Sequence, residues 1–203
     1  MDDSGKRKYA LLIALSVSVI SAFLLLFLMI CFSFLPVKTR EASMFVGLTV
    51  PTIISLYLFP KLCQKVLMLD VKENFKKNEK KWRAFLYLAG YIVLYSIICR
   101  KEFESISMMC MIIFHYMIVS LGEEFTYRKF IINLLKTCYK TRGAVVISAM
   151  MFSFILHINE GVITNLLIRF PLGLVFGCVA IKNDSIEYTI VLHTIYNLTV
   201  LIL

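Results

Sequence analysis

Residues 106–128 read ISMMCMIIFHYMIVSLGEEFTYR, a long apolar run that ends in two adjacent carboxylates and an arginine. The part from 106 to 121 contains no Asp, Glu, Lys or Arg, which is typical of a helix inside a membrane. An ionised side chain at the centre of such a helix costs roughly 2.5 to 3.5 kcal/mol on insertion scales. Glu123 and Glu124 must therefore be paired, hydrated or functional, and they are the first candidate site residues.

The composition extends this interpretation to the whole chain. Of its 203 residues, 60% are hydrophobic and 17% are charged, with a mean hydropathy of +0.82. A soluble domain has roughly 25% charged residues. Apolar runs recur at 9–35, 42–59, 84–99, 106–127, 144–158, 162–181 and 187–203. We therefore predict an all-α fold, a polytopic transmembrane helical bundle of about seven spans, with six or eight also compatible.

The net charge of +9 is carried by links between the apolar runs and not by an aromatic-bearing surface. The expected partner is therefore a lipid bilayer, and no nucleic acid is expected to bind. The basic segments 6–8, 61–83 and 128–142 lie on one side if the N-terminus is cytoplasmic, and the positive-inside rule favours that orientation. The first half of 61–83 is amphipathic and is predicted to lie at the interface. The expected location is the cell membrane, as a multi-pass protein.

The chain shows no repeat, low-complexity tract or soluble domain. We predict one transmembrane domain over 1–203, with N-terminal helices and a basic cytoplasmic loop in 1–105 and a functional core in 106–203. The run 9–35 is long for a signal peptide and no small-x-small cleavage site follows it, so a retained signal anchor is expected. The six cysteines have no metal-site spacing and are interpreted as packing residues.

Polar residues in the apolar runs supply the other candidates. Glu124 and Arg128 are four residues apart and are predicted to pair, while Glu123 points about 100° away and is left for chemistry. His193 and Asn197 share one face of the last run. Each has a plainer alternative, namely polar groups at a helix end or hydrogen bonds between helices.

Three further polar residues lie within the apolar runs or at their ends. His157 ends the run 144–158, where a histidine can be interfacial or catalytic. His115 lies outside any motif and is expected to have a packing or interfacial role. Arg169 is expected to reach the interface or to pair with Glu160 or another acid.

Together these elements resemble the CAAX-protease and bacteriocin-processing family (CPBP, also called Abi) of intramembrane endopeptidases. Its motifs are Glu-Glu-x-x-x-Arg, Phe-x-x-x-His and His-x-x-x-Asn. The segment 123–128 matches the first motif and the segment 193–197 matches the third. The segment 170–177, FPLGLVFG, resembles the family's helix with two glycines four residues apart, which permits close packing.

The second motif matches only in part. His157 is present, but Ser153 stands at the phenylalanine position, with Phe152 and Phe154 on either side.

The resemblance implies an enzyme, a hydrolase that cleaves a peptide bond with a glutamate-activated water. Glu123 with His157 would activate the water. His193 and Asn197 would face the developing oxyanion. Glu124 and Arg128 would orient the site. The implied catalytic residues are Glu123, Glu124, Arg128, His157, His193 and Asn197.

No cofactor is expected, because asparagine is a poor zinc ligand and a good oxyanion donor. The alternative is zinc held by Glu123, His157 and His193. The expected substrate is a peptide or a membrane-associated protein, and processing of a bacteriocin or pheromone peptide, or self-immunity, in a bacterial plasma membrane is the favoured setting. A non-enzymatic immunity or scaffold protein of the same fold is the main alternative. A proton-coupled carrier is a third, although no inverted repeat supports it.

The predicted spans leave one geometric conflict. Counting places Glu123 near the cytoplasmic end of its span and His157 near the outer end of the next one. Either the helix that carries the first motif is tilted and ends deeper in the membrane than hydropathy suggests, or part of 130–139 is itself embedded.

Overall fold

A computed structural model describes residues 3–67 and 81–202. Within these ranges the chain forms seven helices and no strand. They are α1 Ser4–Ser33, α2 Arg40–Val66, α3 Trp82–Ile98, α4 Ile106–Lys136, α5 Thr141–Leu156, α6 Val162–Asn183 and α7 Glu187–Val200. Helices α1, α2, α4 and α6 are each long and apolar enough to cross a membrane. The predicted helical membrane bundle is confirmed, while the number of spans and the side of the N-terminus remain predictions.

The predicted interfacial segment 61–83 is only partly described. Its beginning continues helix α2 as far as Val66, and residues 68–80 lie outside the described residues.

Helix α4 is longer than its hydropathy indicates. It continues through the basic residues at 128 and 129 to Lys136, and its last turns bury Phe130, Ile131 and Leu135 against α1 and α5. At 1.5 Å per residue, Glu123 lies about 20 Å from the end of α4, and His157 lies about 24 Å from the start of α5. The two residues therefore meet at the same level, because the second half of α4 is embedded in the bundle.

Helices α5 and α6 approach closely, as the two glycines of α6 predict. A Cβ atom on Gly177 would lie 2.8 Å from Cγ1 of Val145, and one on Gly173 would lie 3.0 Å from Cβ of Ala149. No side chain fits at either position without moving its neighbour. This contact holds α5, which leads into His157, against α6.

Five π turns interrupt the long helices. A π turn spaces side chains five residues apart rather than four, and such turns are frequent at functional sites. Two lie in α2, and one lies in each of α4, α5 and α6: Phe45–Thr49, Ile54–Leu58, Phe125–Ile131, Phe152–Leu156 and Asn165–Arg169. The last three adjoin or contain the candidate site residues.

Small residues let α1 pack on the second half of α4. Ala10, Ala14 and Ser18 are buried on one face of α1. The Ser18 hydroxyl shares a 2.9 Å hydrogen bond with the hydroxyl of Tyr127, which is also buried. Because Tyr127 directly precedes the motif arginine, α1 supports the part of α4 that carries the site.

Candidate active site

Glu123 and Glu124 are buried where the regular part of α4 passes into its π turn. Successive residues of a helix point about 100° apart, so the two carboxylates meet different neighbours. Oε2 of Glu124 lies 3.2 Å from Nε of Arg128, and both side chains are at most 1% exposed. The predicted pair between residues 124 and 128 is therefore present.

His193 on α7 stands between the two carboxylates. Its Nδ1 lies 2.9 Å from Oε1 of Glu124, within hydrogen-bond distance. Its Nε2 lies 3.4 Å from Oε2 of Glu123, which is longer than an ordinary hydrogen bond. The ring is thus oriented by Glu124 and directs its second nitrogen toward Glu123.

His157 approaches Glu123 from the other side. It directly follows α5, and its Nε2 lies 4.0 Å from Oε2 of Glu123. The Asn165 side-chain amide donates a 2.9 Å hydrogen bond to the His157 carbonyl and holds the link between α5 and α6. The His157 side chain is 15% exposed, against 7% for Glu123. Of these two side chains, His157 is therefore the more accessible from outside the bundle.

Two aromatic rings enclose the arginine. The Cζ atom of Arg128 lies 4.5 Å from the centre of the Phe152 ring and 5.7 Å from that of Phe176. Phe152 also contacts the His157 ring edge-on, with centroids 4.9 Å apart, and Phe176 lies 4.9 Å from the His193 ring. Sequence reasoning did not identify Phe152 or Phe176 as site residues.

The π turn of α5 explains why Phe152 takes this place. The motif spacing assigned the aromatic position to Ser153, four residues before His157, whereas Phe152 lies five residues before it. Because Phe152–Leu156 is a π turn, its five-residue spacing brings Phe152 into contact with the histidine. The signal in the sequence was the phenylalanine next to Ser153.

Helix α7 contributes two more polar side chains. Asn197 lies one turn after His193 and is half-buried, but among the described residues no side-chain hydrogen bond joins it to the group formed by residues 123, 124, 128, 157 and 193. Thr189, one turn before His193, lies beside Glu124 and is fully buried. Its four-residue spacing from His193 was the available sequence signal for this second neighbour of the carboxylate.

His115 and Arg169 each have a partner outside the cluster. Nδ1 of His115 is 3.0 Å from Oγ1 of Thr49 and joins α4 to α2, which agrees with the expected packing role. Arg169 contacts Glu160 at 2.8 Å, so the predicted pairing of these two residues is confirmed.

The two carboxylates differ in their surroundings. Glu124 is held by a guanidinium and a hydrogen-bonded imidazole, and buried charges need such partners. Glu123 has two imidazole nitrogens at 3.4 and 4.0 Å, both beyond ordinary hydrogen-bond distance. Glu124 is thus held by two partners on different helices, whereas Glu123 has neither imidazole nitrogen at ordinary hydrogen-bond distance.

The three alternative zinc ligands are not spaced as a tetrahedral site requires. Tetrahedral zinc with donors at about 2.0 to 2.2 Å places its ligand atoms roughly 3.3 to 3.6 Å apart. His193 Nε2 lies at such a distance from Oε2 of Glu123, but His157 Nε2 at 4.0 Å does not. Within residues 3–67 and 81–202, no group of three or more His, Cys, Asp or Glu side chains is arranged to hold a metal ion. A metal-free reaction stays a prediction.

A helical membrane protein with a buried glutamate between two histidines has the groups needed for hydrolysis inside a bilayer. Residues 105–199 match the family model described as Rce1-like, type II CAAX prenyl endopeptidase Rce1-like. This part of the chain is an Rce1-like domain of the CPBP family, and the protein is a multi-pass membrane enzyme of protease type. The matched segment includes the whole cluster. Comparisons with curated proteins and with solved structures found no match.

Proposed function

We propose that this protein is an intramembrane endopeptidase in which Glu123 and His157 activate a water molecule. The observation that carries the proposal is the 4.0 Å separation of Oε2 of Glu123 from Nε2 of His157. One oxygen at about 2.8 Å from both atoms fits this separation with an angle of roughly 90° at the oxygen. Glu123 would act as general base, and His157 would orient the water.

The bond changes follow from this placement. Glu123 takes a proton from the water while the water oxygen attacks the carbonyl carbon of the scissile peptide bond. The carbon–nitrogen bond then breaks, and the leaving nitrogen receives the proton from Glu123. The second product carries the new carboxyl group, so the atoms of one water are divided between the two products.

His193 is suited to receive the negative charge that develops on the carbonyl oxygen. Its Nδ1–H faces Glu124, so its Nε2 has a set direction beside Glu123. When Nε2 also carries a proton, it can donate to a substrate oxygen there. The Asn197 amide, one turn further along α7, would supply a second donor. Glu124 and Arg128 act through His193 and hold it in position.

The favoured substrate is a peptide or a membrane-associated protein, because the cluster is buried in an apolar bundle and the matched family consists of CAAX-type endopeptidases. We further propose a bacterial cell membrane as the setting and bacteriocin or pheromone maturation, or self-immunity, as the role. The alternative hypothesis, a non-enzymatic immunity or scaffold protein, was based on the altered second motif. The contact of Phe152 with His157 favours the enzyme.

The test uses purified protein in liposomes and two fluorescent peptides, one with a farnesylated C-terminal CAAX sequence and one without the farnesyl group. We expect Glu123→Gln to lower cleavage about 10²- to 10⁴-fold, as loss of a general base does. His157→Ala and His193→Ala are also expected to lose most activity. His115→Ala is the matched control, since this buried histidine lies on α4 outside the cluster, and it should remain within about threefold of wild type.

Full cleavage by a folded Glu123→Gln variant would overturn the proposed mechanism. Repeating the assay with a strong zinc chelator tests the metal: complete inhibition that added zinc reverses would overturn the metal-free prediction. Comparison of the two peptides shows whether the prenyl group is needed for recognition.

A further inference from the structure

A cationic cavity lies at the end of the bundle where α1 begins and α4 ends. Its volume is about 380 Å³, and four cationic side chains line it: Lys6, Arg7, Lys136 and Lys140. None of the described residues that line the cavity is acidic. Arg7, Lys136 and Lys140 bring three like charges to one opening, where they repel each other, and an anion placed among them reduces that cost.

The cavity is built by contacts within the fold. Nε of Arg7 donates a 3.2 Å hydrogen bond to the carbonyl of Cys138 in the link between α4 and α5. This contact fixes the start of α1 against that link. Lys136 belongs to the last turn of α4 and Lys140 directly precedes α5, so both are carried by helix ends, and their side chains are exposed.

The lengths of the helices place the cavity at the level of lipid headgroups. Helices α1 and α4 contain 30 and 31 residues, or about 45 Å each at 1.5 Å per residue. A bilayer measures about 40 to 45 Å with its headgroups included. The shared end of these two helices therefore reaches the layer that contains the phosphates of phospholipids.

We propose that this cavity binds a phosphate group, supplied by the headgroup of an anionic phospholipid. Basic pockets between transmembrane helices recognise such headgroups, and each lysine or arginine near the surface strengthens binding. A bound phosphate would bridge α1 to the link that joins the Glu123 helix to the helix leading into His157. The inference does not depend on the proposed peptidase activity.

The experiment measures lipid binding to the full chain in neutral detergent micelles. Short-chain phosphatidylglycerol and phosphatidylcholine are titrated, and bound lipid is counted by native mass spectrometry while the melting temperature is followed. We expect selective binding of phosphatidylglycerol with an increase in melting temperature. The double variant Lys136→Gln/Lys140→Gln should bind it about 10- to 30-fold more weakly, from roughly 1 kcal/mol per cation.

The matched control is Lys38→Gln/Lys101→Gln, which removes the same charge from exposed lysines that shortly precede Arg40 and Glu104 in the sequence, two residues that pair with each other. It should bind phosphatidylglycerol within about twofold of wild type. Equal weakening in both double variants would overturn the site, and so would wild-type binding without preference for phosphatidylglycerol. If the first double variant melts lower without lipid, the two single variants replace it, each with a several-fold loss expected.

A further arm separates the two sources of the phosphate. Inorganic phosphate is titrated without added lipid, and then as a competitor of phosphatidylglycerol. Weak binding and weak competition support the lipid headgroup. Tight binding of inorganic phosphate that displaces the lipid would overturn the assignment to a lipid.

Discussion

The guanidinium carbon of Arg128 lies 4.5 Å from the centre of the Phe152 ring. Arg128 also pairs with Glu124, and Phe152 touches the His157 ring. One phenylalanine therefore joins the arginine of α4 to the histidine that follows α5. A cation over an aromatic ring contributes about 2 kcal/mol or more when it is shielded from water.

Replacement of Phe152 should impair catalysis more than folding. Phe152→Leu removes the ring beside Arg128 and His157, and we expect peptide cleavage to fall about 10-fold or more, since small misplacements of catalytic groups have effects of this size. Phe154→Leu is the matched control, because Phe154 is half-buried two residues away and makes no ring contact with the cluster. Cleavage rates and melting temperatures of both variants provide the measurement, and equal losses of activity would contradict the role of Phe152.

Deletion of Ser153 should be tolerated. The deletion places Phe152 four residues before His157. An ordinary α-helical turn then brings the two rings into the same contact that the five-residue π turn provides in the wild type. We expect cleavage within about threefold of wild type. Deletion of Met150 is the control, since it lies before the π turn and would rotate both rings about 100° relative to the rest of α5. Inactivity of the Ser153 deletion with full activity of the Met150 deletion would rule out this account.

The sequence predicted the features that depend on local spacing. A four-residue separation placed Glu124 beside Arg128, and the paired glycines of α6 indicated a close helix contact without naming its partner. The continuation of α4 beyond residue 127 could not be predicted from local spacing, because Arg128 and Lys129 are typical of the end of a membrane span. Only the packing of α1 and α5 buries the turns that follow. Phe152 was missed for a related reason, since a π turn leaves no mark in residue spacing.

The two adjacent glutamates should respond differently to the same substitution. Glu124→Gln leaves Arg128 buried without its carboxylate, and loss of one partner of a buried pair costs about 3 to 5 kcal/mol. Glu123→Gln keeps the volume and removes only the proposed base, so we expect a near-normal free energy of unfolding with a loss of cleavage. Thermal and denaturant unfolding in detergent, set beside cleavage rates, measure this contrast. Similar destabilisation by both substitutions would show that the carboxylates share one structural role.

The contact of α6 with α5 should fail when a side chain is introduced at Gly177. A leucine there would overlap Val145, since even a Cβ atom would lie 2.8 Å from it, and overpacking of this kind costs about 1 to 3 kcal/mol or more. Gly90→Leu on α3 is the control, because no atom lies within 4 Å of a Cβ at that exposed position. We expect a lower melting temperature and reduced cleavage only for Gly177→Leu, because the displaced α5 would carry His157 away from Glu123. An unchanged melting temperature for this variant would mean that α5 and α6 can separate without cost, and the 4.0 Å approach of His157 to Glu123 would then need another support.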